Sequence, residues 1–315
     1  MVGQDIISID QFEKKDLESI FDLSFDMEEN FRVHGCSNLL NCTIMASLFF
    51  EPSTRTKFSF DSAMTRLGGE IISTVGVTYS SMAKGETLED TIKTVERYAD
   101  VIVMRHPEKG SAAAAAKVAK VPVINAGDGP GEHPTQALLD FYTIRKEMRQ
   151  FPKIKVAMVG DLKYGRTIHS LIKLLAHYED IEFCLISPKE LKIPEEYTKL
   201  LGEKNIKFYE SDDFGQAACD CDVLYMTRIQ KERFGDPSEY ERLKGVFVLD
   251  KEIMKKAKKN MIVMHPLPRV SEIATEVDSD PRAKYFDQVE NGVFVRMALL
   301  ALVLGKVKLK EKVLT

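Results

Sequence analysis

At 315 residues the chain is longer than one hydrophobic core of ordinary size sustains, so two domains are expected. A hydrophobic share of 44% and a charged share of 29% mark a well-buried globular protein, and a net charge of −4 from 44 basic and 48 acidic side chains leaves no footprint for nucleic acid or a membrane surface. The five cysteines, Cys36, Cys42, Cys184, Cys219 and Cys221, are scattered and odd in number, which speaks against a disulfide framework, and no second pair stands near Cys219 and Cys221 to complete a zinc site.

In chain order, the first segment carries Asp5, Asp10 and Glu13 and lacks a basic start followed by an apolar run, so no signal peptide is expected. Residues 42–50 read as an apolar strand ending at Glu51-Pro52, and Phe58, Ala63, Met64 and Leu67 follow at helical spacing up to Gly68-Gly69. Between them stand Ser53-Thr54-Arg55-Thr56. Three hydroxyls, a guanidinium and the N–H groups and dipole of a helix start make an anion cradle there. The same residues read equally as a helix cap beside a surface arginine.

Residues 80–87 are a polar stretch holding Lys84, by itself a mobile surface loop. Strands at 101–104 and 121–125 flank an alanine-rich helix at 111–119, the alternation of a parallel α/β sheet. Arg105-His106-Pro107 leaves the first of these strands at its carboxyl end, where open α/β sheets bind ligands, although alone it reads more simply as surface charge. A glycine-rich loop at 125–133 leads into a helix over 135–148, with Pro134 in its first turn. His133 and Gln136 face one side of that helix start: the histidine can donate to a carbonyl oxygen, and the glutamine carbonyl can accept from an amide NH2. The alternative is a capped helix with a solvated histidine. No flexible linker surrounds this helix, so the domain boundary is expected in rigid structure near residue 135.

A second series has a strand at 155–159, a turn at 160–165, a helix at 167–177, and strands at 182–186, 207–209, 223–226, 246–249 and 261–264. The turn mimics a Walker A loop in its glycine spacing, but Arg166 stands where that motif requires lysine, and an arginine there suits a carboxylate better than a nucleotide. Arg228, near a strand end, offers a second carboxylate fork, whereas Arg233 reads as an ordinary ion-pair partner. In His265-Pro266-Leu267-Pro268 the prolines fix an irregular backbone whose carbonyls can accept from a ligand, and one X-Pro bond is expected to be cis. The apolar segment 297–304 is far shorter than the ~20 residues of a membrane helix. It is expected as a buried helix of a soluble, reduced, cytoplasmic protein.

Together these segments resemble one family. Ser53-Thr54-Arg55-Thr56, Lys84-Gly85-Glu86, Met104-Arg105-His106-Pro107, His133-Pro134-Thr135-Gln136, the loop 160–167, Arg228-Ile229-Gln230 and His265-Pro266-Leu267-Pro268 stand in the order and spacing of aspartate carbamoyltransferases. The likeness covers residues 44–304 and weakens before them. Ornithine carbamoyltransferases share the first motif but carry a cysteine in the segments matching 133–136 and 265–268, where this chain has Thr135 and Leu267.

The resemblance implies a two-domain α/β fold, each domain a mostly parallel sheet flanked by helices, with helices joining them. Residues 1–135 then bind carbamoyl phosphate, completed by a C-terminal helix at about 290–305, and residues 136–289 bind aspartate. The implied reaction moves the carbamoyl group to the α-amino group of L-aspartate, an early step of de novo pyrimidine synthesis, with no metal and no cofactor. Ser53, Thr54, Arg55, Thr56 and Arg105 are implied to hold the phosphate, with Ser80 and Lys84 supplied by a neighbouring chain. Thr56, Arg105 and His133 donate to the carbamoyl oxygen; Gln136 and the carbonyls of Pro266 and Leu267 take its NH2. Arg166 and Arg228 clamp the aspartate carboxylates, supported by Gln230, Lys84, Leu267 and Pro268, so that Arg55, Thr56, Lys84, Arg105 and His133 carry the chemistry.

Family catalytic chains form homotrimers with shared active sites; some bind regulatory chains and others are fused to further pathway enzymes, and the resemblance leaves both open. Departures are Lys57, where many relatives have arginine, and Gly131-Glu132 before His133. The basic tail (Lys306, Lys308, Lys310, Lys312) is expected to fray. A carbamoyltransferase for another amino acid, or an inactive anion-binding scaffold, is the alternative.

Overall fold

A computed structural model describes residues 1–76, 81–148, 153–231 and 234–307. Its contacts divide the chain into two units, Met1–Tyr142 with Val289–Thr315, and Thr143–Gln288. Ser80, Arg233 and the tail lysines Lys308, Lys310 and Lys312 lie outside the described residues.

In the first unit, strands β1 (Ile44–Phe49), β2 (Glu70–Val75), β3 (Val101–His106) and β4 (Val123–Asp128) form one parallel sheet in the order β2-β1-β3-β4. Around it lie α1 (Lys14–His34), α2 (Thr54–Arg66), α3 (Leu88–Val95) and α4 (Ser111–Val118). The central strands are near-continuous apolar runs because helices cover both faces of such a sheet. Thus Ala46, Leu48, Ile102 and Met104 pack against Ile92 of α3 and Ala115 of α4. The edge strand β2, which meets α2, is less covered and leaves Ile72 and Val75 exposed.

The chain passes to the second unit within α5 (Pro134–Met148), the division falling after Tyr142 rather than between residues 135 and 136. There β5 (Ile154–Val159), β6 (Ile181–Ile186), β7 (Lys207–Ser211), β8 (Val223–Met226) and β9 (Ile262–Met264) make a second parallel sheet in the order β7-β6-β5-β8-β9. Its helices are α6 (Arg166–Leu175), α7 (Glu195–Glu203), α8 (Phe214–Asp220), α9 (Pro237–Leu243) and α10 (Lys251–Lys256). The expected strand at 246–249 does not form; Leu249 makes only an isolated bridge to Ile273. Phe247 and Leu249 serve packing instead, with the Phe247 ring 5.6 Å from that of Phe214 in the core that also holds Leu249. Cys184 and Cys221 are also buried in this core, and burial raises both thiols so that they stay protonated.

The last helix, α11 (Tyr285–Val303), returns to the first unit from Val289 onward and is buried from Phe294 to Val303. Among the described residues no helix is long and apolar enough to cross a membrane.

Each sheet has a switch point, where strand order reverses and the loops leave in opposite directions, opening a crevice at the carboxyl ends. In the first sheet it lies between β1 and β3, in the second between β5 and β8. The first pair of strands leads into Ser53–Thr56 and Arg105, the second into Arg166 and Arg228.

Candidate active site

At the first switch point Phe49 pairs with Arg105, and the amides of Phe50 and Glu51 both donate to the Arg105 carbonyl, at 2.9 and 3.3 Å. Ser53 caps α2 in extended conformation, yet its hydroxyl donates to Thr56 Oγ1 at 3.1 Å instead of accepting from the first turn. The Ser53 side chain thus caps none of the first-turn amides of α2, and a helix N-terminus with amides left for a ligand suits a phosphate. Thr54 and Arg55 are exposed, Ser53 is half-buried and Thr56 is buried. Lys57 pairs with Asp61, whose other oxygen accepts from Ser47 of β1 at 2.9 Å, so this departure from the family pattern ties the cradle helix to its sheet.

The Arg105 guanidinium is buried and held by Glu51 Oε2 at 2.9 Å and the Ala126 carbonyl at 3.3 Å. Asp128 closes the neighbouring loop: Oδ1 accepts from the Glu132 amide at 2.7 Å and Oδ2 from the Gly110 amide at 2.8 Å. Gly129, at φ +52, lies so close to the preceding loop that a Cβ would stand 2.0 Å from the Pro107 carbonyl oxygen. A Cβ on Gly131 would meet Asp128 Oδ1 at 2.5 Å, and the Glu132 carboxylate accepts from the Ile9 amide at 2.9 Å. The second departure is therefore what holds this loop. The loop delivers buried His133 to the head of α5, where its carbonyl accepts from the Gln136 and Ala137 amides. Gln136 Nε2 donates to Asp140 Oδ1 at 2.8 Å.

Behind Asp140 lies a fully buried arginine, Arg296 of α11, whose Nη1 donates to Ser59 Oγ of α2 at 2.8 Å. Burial pulls this guanidinium down to about 10 while the Asp140 charge opposes the shift, so it stays a cation at neutral pH. Gly292 makes room for it, since a Cβ there would stand 2.5 Å from Nη1.

Ser53, Thr54, Arg55, Thr56, Arg105, His133 and Gln136 are thus gathered on the loops of adjacent strands. Lys84, itself exposed, ends a 3-10 turn at Ser81–Lys84, and among the described residues no hydrogen bond or ion pair joins it to them.

At the second switch point Val159 pairs with Met226. Gly160, at φ +117, lets the loop pass the Thr227 carbonyl, to which a Cβ would come within 2.3 Å. Half-buried Arg166 opens α6, and Gln230 Nε2 donates to the Tyr164 carbonyl at 3.0 Å, linking the loop of Arg166 to that of Arg228. His169, one turn along α6, contributes a ring hydrogen bond to the Leu162 carbonyl at 2.8 Å and stacks on Tyr197. Arg228, Tyr240, Lys244, Ser271 and Glu272 line a small pocket that opens to solvent.

The segment after β9 is organised by His265. Its Nδ1 accepts from the Leu267 amide at 2.8 Å, which leaves Nε2–H to donate to Glu272 at 2.7 Å. Glu272 Oε2 in turn takes the amides of Val270 and Ser271, at 3.1 and 3.0 Å. Leu267 sits at φ +49 before a cis bond to Pro268. Pro266 and Leu267 are half-buried and Pro268 is exposed.

Burial lowers the pKa of both His169 and His265 below the ordinary 6.5, so the folded state binds fewer protons than the unfolded chain. Their contribution to stability is whole above pH 6.5 and declines as pH falls below it, each by up to ~1.4 kcal/mol per pH unit. Urea unfolding at about pH 7 and pH 5.5 is expected to show the lower stability at 5.5; equal midpoints and slopes would contradict neutral buried histidines.

Sequence reading missed Glu51, Asp128, Asp140, Glu272 and Arg296, which touch site residues or their supports. Only Arg296 had a signal, an arginine inside the apolar run of α11.

The family model described as aspartate/ornithine carbamoyltransferase, carbamoyl-P binding domain, matches residues 4–146, and that of the Asp/Orn binding domain matches residues 152–303. The chain is 52% identical over 303 residues to the aspartate carbamoyltransferase catalytic subunit of Thermococcus kodakarensis, covering 96% of this chain and 97% of that one. It is 51% identical over 302 residues to the chloroplastic aspartate carbamoyltransferase of Arabidopsis thaliana, 95% of this chain and 77% of that one. Among solved structures it superposes with a TM-score of 0.90 on aspartate transcarbamoylase from Trypanosoma cruzi in complex with N-(phosphonacetyl)-L-aspartic acid, at 44% identity and 96% coverage of both chains. With matches spanning both units, the chain belongs to the aspartate/ornithine carbamoyltransferase family.

Proposed function

We propose that the chain transfers the carbamoyl group of carbamoyl phosphate to the α-amino group of L-aspartate, yielding N-carbamoyl-L-aspartate and phosphate. The observation that carries this reading is the placement of the arginines: Arg55 and Arg105 follow the switch-point strands of the first sheet, and Arg166 and Arg228 follow those of the second. One set suits a phosphate, the other a diacid.

The first unit takes carbamoyl phosphate. The first-turn amides of α2 with Ser53, Thr54, Arg55, Thr56 and Arg105 grip the phosphate. Thr56, Arg105 and His133 donate to the carbamoyl oxygen as negative charge develops on it, and Gln136 with the Pro266 and Leu267 carbonyls accepts from NH2. Arg166 and Arg228 fork onto the aspartate carboxylates, with Gln230, Leu267 and Pro268 beside them. The amine lone pair forms the C–N bond, the C–O bond to phosphate breaks, and the departing phosphate accepts the amine proton. Holding two reactants in attack geometry contributes at most roughly 7–11 kcal/mol to such a step.

The chain acts in the cytoplasm as a homotrimer, with Ser80 and Lys84 completing a neighbour's site. Light scattering is expected to give the mass of three chains. Purified protein offered carbamoyl phosphate with aspartate, ornithine or N-acetylornithine is expected to carbamoylate aspartate alone, and N-(phosphonacetyl)-L-aspartic acid is expected to raise Tm. Product from another amino acid, or none from any, overturns the proposal.

A further inference from the structure

We infer that Asp140 sets the preference of this site for a carbamoyl over an acetyl phosphate, by fixing which end of the Gln136 amide faces the ligand. The inference rests on the reading that Gln136 meets the carbamoyl NH2. Asp140 is a positioning residue on this account, acting through Gln136.

A glutamine amide is a donor at one end and an acceptor at the other, and by itself it turns over readily. Here one end is committed, since Gln136 Nε2 lies 2.8 Å from Asp140 Oδ1 in a buried setting. An ionised carboxylate only accepts, so the NH2 end must face Asp140 and Oε1 is turned away from it. Asp140 has no solvent exposure, and a carboxylate so placed stays charged only beside a compensating cation. Arg296 supplies that charge from α11; it is itself fully buried, anchored on Ser59 and given space by Gly292.

The consequence is chemical selection. NH2 and CH3 are nearly equal in size, so shape cannot separate a carbamoyl from an acetyl group. A fixed acceptor does separate them: the NH2 donates to it, whereas a methyl group strips water from Oε1 and returns nothing.

The test compares two non-hydrolysable probes on one protein: phosphonoacetamide, which carries the NH2, and 2-oxopropylphosphonate, which carries CH3 in its place. Wild-type protein is expected to bind the amide about 10- to 100-fold more tightly. In Asp140→Asn the replacement amide offers a donor as well as an acceptor, so Gln136 is free to reverse. The preference is then expected to fall by about tenfold, while inorganic phosphate binds as before. A fall of less than about threefold overturns the role of Asp140. Because the readout is a ratio of two ligands on one protein, general loosening of the structure cancels. If Asp140→Asn does not fold, the charge-balanced double variant Asp140→Asn/Arg296→Gln is measured under the same criterion. Failure of the underlying reading looks different: wild-type protein would then show no preference between the probes.

Discussion

Alanine in place of Arg55 is expected to lower turnover by about 10²- to 10³-fold while leaving the unfolding free energy within about 0.5 kcal/mol of wild type. The two effects separate because of where the side chain sits. Arg55 is exposed on the first turn of α2, so truncating it opens no cavity in the core. It belongs, however, to the helix turn proposed to grip the phosphate, where negative charge gathers as that group departs. Lysine at this position keeps the charge but loses the fork, and should fall between alanine and wild type. Steady-state kinetics beside a thermal melt decides the matter. A folded Arg55→Ala protein with more than about a tenth of wild-type turnover would remove Arg55 from the cradle.

The largest stability loss is expected at Arg296. Methionine there keeps much of the volume but takes the cation away from Asp140, which is fully buried. The change also leaves Ser59 without the Arg296 donor, and losing a buried hydrogen bond together with the charge that acts on Asp140 typically costs about 1–3 kcal/mol, which for units of this size lowers Tm by roughly 5 °C. Removing both charges should cost less than removing one, since an apolar pair leaves no uncompensated charge behind. The double variant Asp140→Leu/Arg296→Met is therefore expected to melt above Arg296→Met alone. Denaturant unfolding of the two single variants and the double variant forms the required cycle. Additive losses would show that the two charges are not coupled.

The parts of the site that were legible share one property: their chemistry is local. Ser53-Thr54-Arg55-Thr56 lies between an apolar strand and a helix, so four neighbours in sequence were enough to place hydroxyls and an arginine at a helix start. Arg105, Arg166 and Arg228 could be assigned to strand ends for the same reason. Residues 246–249 show the limit of that method. An apolar stretch has the same periodicity whether it pairs in a sheet or plugs a core, and here Phe247 goes to Phe214. Glu51, Asp128, Asp140 and Glu272 were invisible because nothing in their neighbourhood marks an acid as a support rather than a solvated charge.

The sequence by itself determined two α/β sets, the strand-end arginines, the hydroxyl-rich start of α2 and, through ordered motifs, the family. Those follow from contacts between residues a few positions apart, where propensity and spacing carry the information. Only the tertiary structure decided which strand ends adjoin, since the orders β2-β1-β3-β4 and β7-β6-β5-β8-β9 arise from long-range pairing. It also decided that Arg296, more than a hundred residues from Asp140 in the chain, shares a buried setting with it. Burial turns both from ordinary surface charges into partners, because a charge removed from water persists only where the fold brings it an opposite one.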